Sequence, residues 1–181
     1  MKSVKLLLDK YAQNMDQHTF KNVENNKLSN NGACSNNISE NYPLKNYLDL
    51  NLDISQYLLN DKILSKYSKI LDIVNENDNR SCCFTKGYGH YVEGTGSVVQ
   101  HNKDTDLESA FRNEGTEDER LEKIKQLQLR YFSPNEVLKL MCFPNWFTLP
   151  SSITQKQSYR VLGNSINVLV VTTLLLILIN E

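Results

Sequence analysis

The stretch R-S-C-C-F-T-K-G-Y-G-H-Y-V-E-G-T-G-S-V-V-Q, Arg80 to Gln100, holds four of the chain's seven glycines behind two adjacent cysteines, Cys82 and Cys83. Its residue types suit three chemistries: a phosphate-cradling loop, a thiol or metal site, or a turn-rich surface that reads a ligand. A dinucleotide loop needs G-x-G-x-x-G between a strand and a helix. Here Gly87 and Gly89 are followed by Val92, and Gly94 and Gly96 by Val99. Neither pair opens a helical pattern, so tight turns in a small β region are the simpler reading. Zinc sites favour pairs such as C-x2-C. Adjacent cysteines in a strand point to opposite faces, and His90 and His101 add no ligand spacing, so no metal is expected. A nucleophilic cysteine needs a base beside it or a lowered pKa, and neither can be read from the sequence. Cys82 is expected to be a buried small side chain.

The basic residues offer a different use. Arg80 and Lys86 flank C-C-F-T, and Lys156 and Arg160 lie four apart, on one face of a helix. Such side chains are ordinary solvated surface. They also suit phosphates, where cations supply affinity without reading sequence. Tyr88 and Tyr91 lie between the glycines, where they either pack or stack on an unpaired base. In L-G-N-S-I-N, Leu162 to Asn167, a glycine turn meets short polar side chains at a helix start. That arrangement holds a polar ligand group or simply joins two helices.

The elements that must position these residues follow from pattern. The first 20 residues suit a short helix. The asparagine-rich stretch over 21–42 has too few large apolar groups to offset its ordering entropy, and reads as a disordered linker. Asp53 is placed to cap a short helix through I-S-Q-Y-L-L, and Asp61 a longer one in which Ile63, Leu64, Tyr67, Ile70, Leu71 and Val74 share a face. C-C-F, G-S-V-V and L-R-Y-F suit strands. The spacing predicts a loop from His101 to Asp118 and a helix from Glu119 to Gln128. S-P-N-E, Ser133 to Glu136, predicts a capped helix ending near Met141. T-Q-K-Q, Thr154 to Gln157, predicts another, stopped at Gly163 by a left-handed cap. Ser165 is placed to cap a final apolar helix.

The totals set bounds. With 181 residues and a net charge of −1, the chain suits one domain or part of a larger one. Near-neutral balance leaves any nucleic-acid contact to a local basic cluster. The start, M-K-S-V-K-L-L-L-D-K, reaches charge after a few apolar residues, unlike a signal peptide. Free thiols in a reduced, intracellular setting are expected. Val168 to Ile179 is apolar for about a dozen residues, whereas a spanning helix needs roughly 20, so a membrane partner is not expected.

C-F-T-K-G-Y-G-H-Y-V-E-G-T-G-S-V-V-Q resembles the signature segment of the eukaryotic tRNA cytosine-5 methyltransferases built like DNA cytosine methyltransferases. L-R-Y-F-S-P-N-E-V-L-K-L-M-C-F-P is similar to their next block and Y-R-V-L-G-N-S-I-N-V to their final motif, in one register from about Asp53 to Glu181. The resemblance implies a mixed α/β fold: a Rossmann-like S-adenosylmethionine domain carrying a smaller target-recognition domain, inserted late. Residues 43–132 would be the recognition domain, and 133–181 the return to the catalytic domain. It implies the cofactor S-adenosylmethionine, with Asn164 and Ser165 in the motif that closes over it. It implies a tRNA partner, aspartate tRNA by family, modified at a cytosine of the anticodon loop in the cytoplasm or nucleus. Cys83, Phe84 and Thr85 belong to the recognition signature, and Arg80, Lys86, Lys156 and Arg160 become candidates for tRNA contact.

Three family motifs are missing from the chain. No proline precedes a cysteine, so there is no P-P-C nucleophile loop; E-N-V and F-x-G-x-G are also absent. No catalytic residue is therefore assigned. The expectation is a truncated member, inactive alone, with its last helix exposing an apolar patch over 166–179. The alternatives are a non-catalytic RNA-binding module or part of a DNA cytosine-5 methyltransferase. A smaller departure is Cys142 before F-P, where the family usually has glycine.

Overall fold

The computed structural model describes residues 42–49, 51–112 and 114–180. The expected N-terminal helix and linker lie outside these, apart from residue 42. The described residues form two units, 42–140 with 149–165, and 141–148 with 166–180.

The first unit is built on a three-stranded sheet ordered β1 (Ile73–Val74), β2 (Val98–Gln100), β3 (Leu129–Tyr131). β1 and β2 run parallel, with Ile73 opposite Val98; β2 and β3 run antiparallel, with Val99 opposite Arg130. A parallel pair cannot be joined by a tight hairpin and needs a long crossover. That crossover is residues 75–97, so it carries most of the glycine-rich signature, which ends in β2. The free edge of β3 is closed by residues 57–59: the Leu59 amide donates to the Leu129 carbonyl at 2.9 Å, and the Tyr131 amide to the Tyr57 carbonyl at 2.9 Å.

Helices cover this sheet. α1 (Asp61–Tyr67) is capped by Asn60, whose Oδ1 accepts from the Ile63 amide, and not by Asp61, which sits in the first turn. α1 is also shorter than its apolar pattern predicts. A 3-10 turn, Ser68–Ile70, ends it, and the last apolar residues become β1. Sheet pairing to β2 overrides the helical period there. Asp53 organises one turn only: its Oδ1 accepts from the Ser55 amide, and the chain then bends at residues 55–57. The segment 82–84 is not a strand. The region expected as loop contains the single-turn α2 (Leu107–Ala110), capped by Asp106. α3 (Glu117–Gln126) starts earlier than predicted because Thr116 and Glu119 form a capping box. It stops at Gln126, and Gln128 turns the chain with φ +50°. The core between α1, α2, α3 and the sheet includes Leu59, Leu64, Val98, Ala110, Ile124, Leu127 and Leu129.

α4 (Pro134–Leu140) and α5 (Gln155–Leu162) begin at the predicted caps. Thr154 and Gln157 form a capping box, and Ser133 and Glu136 exchange the same pair of bonds. Gly163 is not left-handed; its φ is −70°.

In the second unit, Cys142 has φ +58°, a conformation that favours glycine. α6 (Val168–Asn180) starts at Asn167, whose Oδ1 accepts from the Val170 amide. Ser165 does not cap it: its hydroxyl donates back to the Leu162 carbonyl at 2.8 Å. Ile166, Val170, Leu174, Leu175, Ile177 and Leu178 are exposed, as the apolar run predicts. Among the described residues no helix is long and apolar enough to cross a membrane.

Candidate nucleic-acid interface

The signature turn is organised by Tyr88. Its ring is buried and meets Phe84, Tyr131 and Tyr159 edge-on, with centroids 5.0, 5.2 and 5.0 Å away. Edge-to-face pairs of this kind add about 0.5–1.5 kcal/mol each beyond area burial. The Tyr88 hydroxyl donates to the Ser97 carbonyl at 2.6 Å and accepts from the Phe132 amide at 2.8 Å. Tyr159 Oη donates to the Phe132 carbonyl at 2.6 Å. Two tyrosines thus satisfy both backbone groups of Phe132, where a buried unpaired group would be costly. Burial raises both phenol pKa values, so these groups stay neutral hydrogen-bonding partners. Gly96 is required here: at φ +147° it lets the chain pass within van der Waals reach of the Tyr88 and Phe84 rings, where a side chain has no room.

The front of the turn is held by backbone. The Thr85 amide donates to the Thr95 carbonyl at 3.0 Å, and the Tyr88 amide to the Thr85 carbonyl at 3.0 Å. α5 closes over it at Gly163. A methyl group placed on Gly163 would overlap the Thr85 carbonyl and the Lys86 amide. Glycine is needed at this position for close approach and not for a left-handed φ. Lys156, Arg160 and Gly163 follow one stripe of α5 at i, i+4 and i+7. That stripe therefore ends where the Thr85–Lys86 peptide crosses. Lys86, Lys156 and Arg160 are exposed, and Asn164, next to Gly163, is exposed as well.

The candidates thus divide. The fold brings Thr85, Lys86, Arg160, Asn164 and Ser165 to one seam. Phe84 is buried between Tyr88 and Phe132, and supports the turn from behind. Tyr88 is buried too, so of the two tyrosines only Tyr91 presents its ring to solvent. Cys83 is exposed. Arg80 is exposed but its Nη1 pairs with Asp72 at 2.8 Å.

Cys82 is exposed, not buried as expected; its segment is tied to the Ser97 side chain and is not paired as a strand. The Cys82 amide donates to Ser97 Oγ at 2.6 Å, and Ser97 Oγ in turn donates to Asp72. A hydrogen bond to Asp72, then burial, pushes the Cys82 thiol up, away from a reactive thiolate. Among the described residues no three His, Cys, Asp or Glu side chains gather as a metal site.

Sequence reasoning missed a buried ion pair in the first unit. Arg130 and Glu136 are buried and joined by two parallel bonds, 2.8 Å from Nη1 to Oε2 and 2.9 Å from Nη2 to Oε1. Glu136 also accepts from the amides of Ser133 and Asp49. A capping-box glutamate six residues after an arginine was the available signal. The burial that gives the pair its importance came from long-range packing.

These features sit within a recognisable family. A family profile for the C-5 cytosine-specific DNA methylases matches residues 6–179, and the chain belongs to that family. It is 47% identical over 137 residues to the tRNA (cytosine(38)-C(5))-methyltransferase of Homo sapiens, covering 75% of this chain and 35% of the relative. It is 44% identical over 142 residues to the enzyme of the same name from Spodoptera frugiperda, covering 76% of this chain and 42% of the relative. A crystal structure of a Spodoptera frugiperda DNMT2 mutant superposes with a TM-score of 0.68 at 41% identity, over 76% of this chain and 42% of that one. The chain spans about a third to two fifths of the length of these curated relatives.

Proposed function

We propose that this chain supplies the tRNA grip of a tRNA cytosine-5 methyltransferase that uses S-adenosylmethionine, working inside the cell in cytoplasm or nucleus. The observation that carries the reading is the seam at Gly163. The recognition turn is fixed in register against α5, so Lys86 and Arg160 face solvent from one rigid support. Rigid placement lowers the ordering cost of each phosphate contact. On this reading residues 43–132 serve recognition, residues 133–181 return toward a catalytic domain, and Arg80, Cys83, Thr85 and Lys156 flank the RNA. Aspartate tRNA is the substrate we favour, from the likeness of the signature.

The joint at residues 163–165 fits one polar edge of S-adenosylmethionine. The exposed Asn164 carboxamide has a donor and an acceptor to offer, while the Ser165 hydroxyl proton is committed to Leu162 O. When bound, that cofactor supplies the methyl group. The chain's own part is to hold it at Asn164 and to hold the RNA beside it. Methylation at carbon 5 also needs a thiolate to attack carbon 6. No proline–cysteine step exists in the 181 residues, and Cys82 is held as a thiol.

The test is a fluorescence-polarisation titration of an aspartate tRNA transcript across a salt series. The expected result is affinity that falls with salt and drops at least about fivefold in Lys86→Gln and Arg160→Gln, since each removes a phosphate partner. Unchanged affinity in both variants would refute the seam as the grip. A DNA cytosine substrate is the second reading, favoured by the description of the family itself. Tighter binding of duplex DNA than of tRNA in the same assay would select it.

A further inference from the structure

A second basic surface lies away from the seam. Between α1, α2 and α3 is a hollow of about 410 Å3 lined by Lys66, Lys69, Arg112 and Arg120, with Phe111 in its wall and Glu117 as its one carboxylate. The four cations come from four segments: α1, the 3-10 turn after it, the bend that follows α2, and α3. In a chain with 20 basic and 21 acidic residues, such convergence is a local segregation of charge. Arg80, Lys103, Lys125 and Arg130 each meet a carboxylate. Lys66, Arg112 and Arg120 form no salt bridge among the described residues. Lys66 Nζ lies 5.2 Å from the Tyr67 ring centre, and Arg120 Nε donates to the Thr116 carbonyl, so both are held in place while their charge stays unneutralised.

The hollow continues. Lys69, Ser68 and Phe111 also line a neighbouring one of about 570 Å3 that reaches Asp72 and Arg80. Together they make a furrow from the start of the signature segment to α3. Its walls are cationic, and its apolar lining is too small for a protein partner's hydrophobic core. A phosphodiester backbone needs charges spaced along a track and no deep burial.

From this we propose that the furrow of Lys66, Lys69, Arg112 and Arg120 is a second docking track for the RNA backbone, holding a part of the RNA other than the one at the seam. It rests on the tRNA reading and extends it from one contact region to two.

The test uses the full chain and the same tRNA transcript. The triple variant Lys69→Gln, Arg112→Gln, Arg120→Gln is expected to bind at least about tenfold more weakly near 0.1 M salt. Its plot of log affinity against log salt should be shallower by roughly 2 to 3, at about 0.9 per phosphate lost. A charge-keeping triple, Lys69→Arg, Arg112→Lys, Arg120→Lys, should bind like wild type, and both should melt like wild type. If the neutral triple binds normally while Lys86→Gln and Arg160→Gln lose affinity, the furrow is overturned and the seam stands. If wild type binds no RNA, both fall. Equal loss in the charge-keeping triple, or furrow-dependent binding of poly-glutamate as tight as that of tRNA, would also overturn the proposal.

Discussion

The signature turn and the final helix differ in how each spends its side chains. In the turn, Phe84 and Tyr88 are buried against Phe132, Tyr131 and Tyr159, and the tyrosine hydroxyls close on backbone groups. In α6 Val170, Leu174, Leu175, Ile177 and Leu178 are exposed, Leu178 by 68%, and Trp146 of the same unit is 67% exposed. These contacts of the turn all lie within the first unit. α6 has seven β-branched residues among its 13, so its intrinsic helix propensity is low, and its apolar surface forms a patch of the kind that promotes association.

This contrast can be broken most severely at the buried pair. Glu136→Gln leaves Arg130 charged and uncompensated in the interior, at a cost of about 3–5 kcal/mol. A urea melt followed through the signature region should shift accordingly, and a small shift would mean that the pair does not hold the turn. Next comes Gly163→Ala. The added methyl must displace the Thr85–Lys86 peptide, costing about 1–3 kcal/mol as an overpacking strain. tRNA affinity should fall with it, since Lys86 moves. Normal affinity would separate the turn's register from the grip.

The second unit should respond in the opposite direction. Cys142→Gly relieves a left-handed residue, which costs roughly 1 kcal/mol for a side chain. It should raise thermal stability slightly, whereas a loss would show that the thiol's contact with Asn167, at 3.9 Å, matters more. The smallest change expected is Leu174→Lys with Leu178→Lys on α6. Both positions are exposed, so stability should stay within about 0.5 kcal/mol. Light scattering should show less self-association; a large drop in stability would mean that this face is buried in solution.

What the sequence made legible was local. The helix starts at Ser133 and Thr154 follow from side chains three residues apart, and β3 from a short run of suitable residues. Resemblance along the signature identified the family. Less legible were features set by distant partners. Val74 fits a helical face but pairs with Val99. Gly163 fits a left-handed cap but is glycine because another peptide crosses it. Tyr88 looked available for stacking because its neighbours are polar and glycine-rich. It is buried because Tyr159, far along the chain, packs against it. The basic furrow was invisible for the same reason: its cations come from segments that meet only in the fold.

The central claim is that this chain grips tRNA without carrying out the chemistry. It is tested most directly by incubating the purified chain with tRNA and methyl-labelled S-adenosylmethionine under conditions where binding is saturated. The account predicts bound tRNA that stays unlabelled. Label incorporated at cytosine by this chain alone would contradict it.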